Sequence, residues 1–255
     1  MIRIAKHVLY DILRNRFVLF YTLFLFVTTL TLFSLDSDPG KGTLSLLNII
    51  LMVVPVVSIV FTTIHFFNSY EFIELLLAQP VDRKVIFFSE FIAITLALSM
   101  AYLVGVGVPL LLLSFSTGSG FLILSGLLLT WVFVSLAFAA SLGTRDKAKA
   151  IGIALLFWFY FSLIYDGFLL YILYSFSDYP LEKVTLGLVS LNPIDLARIV
   201  MLLKLDISAL MGYTGAFYKK FFGTDAGIIY SFSLLLFWTA LPLLFSLRKF
   251  MRKDI

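Results

Sequence analysis

Six long apolar runs separated by short polar segments set the pattern of this chain, at about 17–35, 43–67, 85–115, 121–142, 150–174 and 227–247. A helix needs roughly 17–25 apolar residues to cross a bilayer, so each run predicts a membrane-spanning helix. Alternation at period two is absent despite 28 Phe and 12 Tyr, which argues against a barrel of strands. The expected fold is an all-α membrane protein of six spans, organised as one permease domain over 1–255. Pro55 predicts a kink in the second span. Gly105, Gly107 and Pro109 predict a broken or strongly tilted third span. Turns are expected at 36–42 and 116–120, and a basic loop at 143–149.

The polar segments are not plain connectors. In 1–16, Ile2, Ile4, Val8, Leu9, Ile12 and Leu13 share one helical stripe, with Arg3, Lys6, Arg14 and Arg16 mostly off it. This predicts an amphipathic helix lying in the membrane interface. In 68–90, Tyr70, Glu71 and Glu74 precede an apolar run that stops at Gln79-Pro80. That pattern predicts a surface helix over 70–79, ended by a proline that cannot continue it. Val81 to Lys84 then turn the chain into the third span. Residues 175–225 are the one sizeable non-spanning stretch and include Tyr213. There Asn192-Pro193 reads as an N-cap followed by proline in the first helical position. The helix that follows carries Asp195 and Arg198. It is too short and too charged to span, and is expected at the interface or dipping in and out.

Composition agrees with this picture. The chain is 61% hydrophobic and only 13% charged, too few charges to cover a soluble domain of 255 residues. With the N-terminus inside, the inner segments hold 13 of the 19 Lys and Arg. The positive-inside rule therefore predicts two cytoplasmic termini, a cytoplasmic surface helix and an external 175–225 segment. The net charge of +4 lies at span ends and carries no nucleic-acid signal. With no cysteine, disulfides and thiolate chemistry are excluded. The first residues do not have the pattern of a cleavable signal.

Candidate chemistry is sparse. Gly40-Lys41-Gly42-Thr43 resembles only the end of a phosphate-binding loop and reads as a turn between spans. His7 and His65 are the only histidines and no Met cluster accompanies them, so no metal site is expected. No nucleophile motif supports hydrolysis. Asp166 is an ionisable residue within the fifth run. It is either a functional intramembrane charge or a group bonded near the outer interface. Glu90 is expected at the interface, paired with Arg83 or Lys84. Ser135, Ala139 and Gly143 repeat every four residues and predict close helix packing.

Together the six spans, the amphipathic start and the surface helix resemble the permease subunit of type-2 ABC exporters. The sharpest local likeness is Glu74-Leu-Leu-Leu-Ala-Gln-Pro-Val-Asp-Arg83, which is similar to that family's coupling helix. The chain has Asn68 to Phe72 where the family often has Arg-Glu-x-Gly-Thr, and Ser89-Glu90 where it often has Gly-Lys. The resemblance implies a homodimer in a bacterial inner membrane and a cytoplasmic ABC ATPase that binds ATP and Mg, with no cofactor in this chain. It also implies that Tyr70, Glu71, Glu74, Gln79, Pro80, Val81 and Arg83 serve the ATPase contact. Leu191-Asn-Pro-Ile-Asp-Leu-Ala-Arg198 and the stretch after it resemble a branch of the family that works with a periplasmic protein on the copper–sulfur site of nitrous oxide reductase. In that case Asn192, Pro193, Asp195, Arg198 and Tyr213 belong to the face toward this partner. The alternatives are an exporter for a lipid, peptide or drug, and an ion-coupled carrier using Asp166.

Overall fold

The computed structural model describes residues 2–35, 39–113, 117–176, 182–204 and 225–252. Among these all regular structure is helical. A segment surrounded by hydrocarbon has no water to satisfy its peptide groups, so apolar runs of this length close their hydrogen bonds within a helix. Helix α1 covers Ile2–Leu13, α2 Arg16–Leu35, α3 Pro39–Asn68 and α4 Tyr70–Leu77. Helix α5 covers Arg83–Tyr102 and runs through a π turn, Leu103–Gly107, into α6, Val108–Leu113. Helix α7 covers Thr117–Gly143 and α8 Lys147–Phe159, which passes through a second π turn, Tyr160–Ile164, into α9, Tyr165–Ser175. Helices α10 (Glu182–Ser190), α11 (Pro193–Lys204) and α12 (Asp225–Arg252) are the remaining ones among the described residues. Six helical stretches are long and apolar enough to cross a membrane: α2, α3, α5–α6, α7, α8–α9 and α12.

Several connections are tighter than the sequence implied. The expected turn at 116–120 is mostly helix, because α7 already begins at Thr117. The expected loop at 143–149 shrinks to 144–146, because Asp146 caps α8 by accepting the Lys149 N–H at 2.8 Å. Helix α3 begins at Pro39, a residue suited to a first turn, so Gly40 to Thr43 are helical rather than a loop. The third span is not broken. Its π turn absorbs Gly105 and Gly107 within one 31-residue stretch. Gly105 lets α2 approach closely: a Cβ there would lie 2.8 Å from Leu25 Cβ and 3.0 Å from the Thr22 carbonyl. Gly126 of α7 does the same for the Tyr102 ring, whose hydroxyl donates to Leu122 O at 3.0 Å.

Helix α7 is the hub. Its apolar stretch is 72% buried, against 17% for α8–α9, and it packs mainly on α3 and α12. Phe133, Phe138 and Val134 are fully buried. Phe138 meets Phe66, Phe87 and Phe91 edge-on at 5.5–5.6 Å, joining α3, α5 and α7. Several buried hydroxyls bond within their own helix. Thr29, Thr63, Thr130 and Ser141 each donate to the carbonyl four residues back at 2.7–2.8 Å. Ser135 instead crosses to α12 and donates to Thr239 O at 2.7 Å. Of the small-residue stripe of α7, Ser135 meets α12, whereas a Cβ at Gly143 would meet open space.

Candidate functional site: two ends of one bundle

One end of the bundle is basic. Helices α2, α5 and α8 start there with Arg16, Arg83-Lys84 and Lys147, and α12 ends there with Arg248, Lys249 and Arg252. Lys147 Nζ donates to Asn68 Oδ1 at 2.7 Å, and Lys249 Nζ approaches Gly143 O at 3.4 Å. These contacts draw the α3–α4 and α7–α8 corners and the end of α12 together. Helix α1 lies across the start of α5, with Val8 and Ile12 buried and Lys6, His7 and Tyr10 exposed. The expected stripe is therefore the face that packs.

Helix α4 sits at this end. It is entered within one residue of α3 and held by Ile73 and Leu76, both buried. Glu71, Glu74, Leu75 and Ala78 face out, at the i, i+3, i+4, i+7 positions of one stripe. Leu75 is 66% exposed. Tyr70, Val81 and Arg83 are half-buried, and Gln79 and Pro80 are exposed. The helix ends at Leu77 rather than 79. Ala78 and Gln79 still donate back to Glu74 O and Leu76 O, at 3.1 and 3.2 Å, and then Pro80 breaks the run.

Behind α4 lies a cavity of about 190 Å³, lined by His7 and Asp11 of α1, His65 and Asn68 of α3, Ser69, and Phe72 of α4. Ser69 Oγ is 3.3 Å from His65 Nε2. Glu90 is nearby and is not the interfacial residue expected. It is 1% exposed, its nearest ionisable partner is His65 Nε2 at 3.9 Å, and neither carboxylate oxygen has a hydrogen-bond partner. The reason is register. Ile86, Glu90 and Ile94 follow each other at i+4 on the buried face of α5, while Lys84 is exposed. The ionisable group that Glu90 approaches is thus on α3, in place of the Arg83 or Lys84 expected, and no hydrogen bond joins the two. Among the described residues no three His, Asp or Glu side chains converge to hold a metal ion.

The opposite half of the bundle holds the second cluster. Helices α10 and α11 meet at a bend of 115°, and α11 enters the bundle between α7, α12 and α3. Helix α11 is thus packed among other helices of the bundle. Asn192 and Pro193 are both buried at its start. As expected, Asn192 is the N-cap: its Oδ1 accepts the Ile194 N–H at 3.0 Å. Its Nδ2 donates to Asp195 Oδ2 and to Phe161 O, each at 2.9 Å. Phe161 lies in the second π turn, where the helical hydrogen-bond register shifts. Arg198 Nη1 donates to Asp166 Oδ2 at 2.8 Å and to Asp195 Oδ1 at 3.1 Å. Tyr165 OH donates to Leu188 O, and Trp238 Nε1 donates to Ser190 O at 3.2 Å. Two groups read separately in the sequence, Asp166 and the Asn192–Asp195–Arg198 set, are thus one network joining the fifth span to α11. Tyr213 lies outside the described residues. The i, i+3 spacing of Asp195 and Arg198 was visible in the sequence; their bond to a residue 32 positions away was not.

A bundle of six apolar spans with a short surface helix tied to two of them is a multi-pass membrane protein of permease build. The chain matches the ABC-2 family transporter protein model over residues 2–255, and it belongs to that family. It is 35% identical over 152 residues to the probable ABC transporter permease protein NosY of Pseudomonas aeruginosa, covering 54% of each chain. It is 33% identical over 138 residues to the probable NosY of Stutzerimonas stutzeri, covering 50% of each. The chain thus spans about half the length of the curated relatives it matches.

Proposed function

We infer that this chain is the NosY-like permease of a complex in which a separate ATPase, similar to NosF, drives two copies of it. The carrying observation is α4: a helix buried on one side by Ile73 and Leu76, presenting Glu71, Glu74, Leu75 and Ala78 on the other, and continuous with two spans. An ATPase that grips this stripe moves α3 and α5 directly. In this reading α4 and both termini are cytoplasmic, which is supported by the basic residues gathered at their end. Arg83, at the first turn of α5, helps to set the lever's end.

Movement of the fifth span reaches the far side through Asp166, Arg198, Asp195 and Asn192, because these residues couple α8–α9 to α11. A periplasmic partner similar to NosD would receive it there, in maturation of the copper–sulfur site of nitrous oxide reductase. The output is translocation or mechanical work on that partner, a two-state coupling between distant sites. An exporter of lipid, peptide or drug would share the lever and lack the partner. The ion-coupled carrier has less support, since Asp166 is held by Arg198 at 2.8 Å.

The test is affinity purification from native membranes with the co-purifying subunits identified. An ATPase that is recovered with the parent chain and lost with Leu75→Asp supports the lever. Recovery of no ATPase, in a detergent that preserves such complexes, contradicts it.

A further inference from the structure

Helix α4 starts beside Ser69, yet Ser69 does not cap it. Its backbone sits at φ −87° and ψ 4°, between the helical and extended regions, and its side chain makes no cap bond. A serine that caps a helix adopts extended backbone and accepts the N–H two or three residues on, here that of Glu71 or Phe72. Ser69 Oγ is instead 3.3 Å from His65 Nε2, one turn back in α3. The backbone agrees with this placement. Ser69 N–H donates to His65 O and Ile73 N–H donates to Ser69 O, both at 2.9 Å, so hydrogen bonds of helical spacing run across the corner from α3 into α4. His65 thus holds the hydroxyl that suits the start of α4.

The same nitrogen has a second neighbour. Glu90 Oε2 lies 3.9 Å from His65 Nε2, buried, with neither carboxylate oxygen hydrogen-bonded. One ring nitrogen serves one of these two neighbours, and its proton decides which. Bare, Nε2 accepts the Ser69 O–H. Protonated, it is a donor, and a carboxylate is a stronger acceptor for it than a hydroxyl. Water reaches His65 from one side: it lines the cavity of about 190 Å³, whose wall includes the exposed His7 and Asp11 of α1. Glu90 does not line that cavity, so a proton arrives by way of His65. The other charges around the pair are few. Lys147 of α8 is bonded to Asn68 Oδ1, Glu71 and Glu74 of α4 face out, and α7 carries no ionisable residue. Arg16 of α2, Lys6 and Arg14 of α1 and Arg248 of α12 are exposed, and Lys249 approaches Gly143 O.

We propose that His65 and Glu90 form a proton-operated latch on α4. With His65 neutral, Ser69 is held and the corner stays as observed. When Nε2 takes a proton from water in the cavity, the imidazolium pairs with the Glu90 carboxylate. Ser69 is released, its backbone becomes extended as it caps α4, and α4 turns relative to α3. Acid therefore releases α4 and base latches it, a local charge change acting on a two-state corner. Histidine suits the task because it ordinarily changes charge between about pH 5 and about pH 8.

The test uses the full chain in nanodiscs with no ATPase present, so it stands or fails apart from the docking role of α4. Because the chain has no cysteine, spin labels go on Leu75→Cys of α4 and Leu156→Cys of α8, 66% and 65% exposed. Labelled protein is diluted with unlabelled protein, and the label-to-label distances are measured at about pH 8 and about pH 5. A second distance population is expected to grow at the acid end. It should be lost with His65→Gln and with Glu90→Gln, and kept with His7→Gln. Ser69→Ala, a milder change at the half-buried corner, should also lose it, and carries the test if a buried substitution does not fold. The same distances at both pH values in the parent would overturn the proposal. So would a pH-dependent population that survives His65→Gln or Ser69→Ala, which would place the sensor elsewhere.

Discussion

Helices α4 and α11 are both short, both begin within two residues of the preceding helix, and both start beside a helix-capping residue type, Ser69 and Asn192. They end up in opposite situations. Helix α4 stays on the surface, held by Ile73 and Leu76, with an acidic and apolar stripe left bare. Helix α11 is drawn into the bundle with Leu196, Ala197, Val200 and Met201 buried. What separates them is where their polar groups find partners. The side chains of Asn192, Asp195 and Arg198 bond to one another, to Phe161 O and to Asp166, so the charged start of α11 can leave water. Ser69 makes no side-chain cap bond to α4, and Glu71 and Glu74 are exposed. A helix with its polar partners inside the protein can be buried; one without them stays at the surface, free to receive another molecule.

That contrast is sharpest at Arg198. Arg198→Ala leaves Asp195, which is 8% exposed, beside Asp166 with Asn192 as its remaining donor. The expected loss is about 2.5 kcal/mol, less than for a fully buried pair because the Arg198 side chain is 34% exposed. It is read as the unfolding midpoint in detergent, and replacing both aspartates by asparagine in the same background should recover much of it. Asn192→Ala is expected to lose about 2 kcal/mol, from the cap and the bond to Phe161 O together. The same measurement reads it, and a loss below about 0.5 kcal/mol, the scale of ordinary surface substitutions, would mean that α11 is held by packing alone. On α4 the expectation reverses. Leu75→Asp and Glu74→Lys should each change stability by less than about 0.5 kcal/mol, while ATPase co-purification falls for both. If either unfolds the chain, α4 is a packing element and not a docking one.

The same comparison explains what was legible in the sequence. Span number, the proline stop after α4 and the Asn192-Pro193 helix start all follow from local periodicity and backbone chemistry. These are properties of neighbours in the chain. The 31-residue third span was harder: Gly105, Gly107 and Pro109 read as a break or a strong tilt, while the structure absorbs the glycines in a π turn with Gly105 packed closely on α2. Glu90 was misplaced because closeness to Arg83 along the chain outweighed its register with Ile86 and Ile94. The Asp166–Arg198 bond joins elements far apart in sequence, and no local pattern announces it.

The central claim is that motion at α4 reaches α11 through the Asp166–Arg198 pair. Because the chain has no cysteine, spin labels can be placed cleanly at Tyr171 of α9 and Val184 of α10, both exposed. The label-to-label distance would be measured in the reconstituted complex with its ATPase, without nucleotide and with ATP trapped by vanadate. The account predicts a nucleotide-dependent shift in the parent that disappears with Arg198→Ala. A shift that persists at full amplitude without the arginine, or none in the parent, would contradict it.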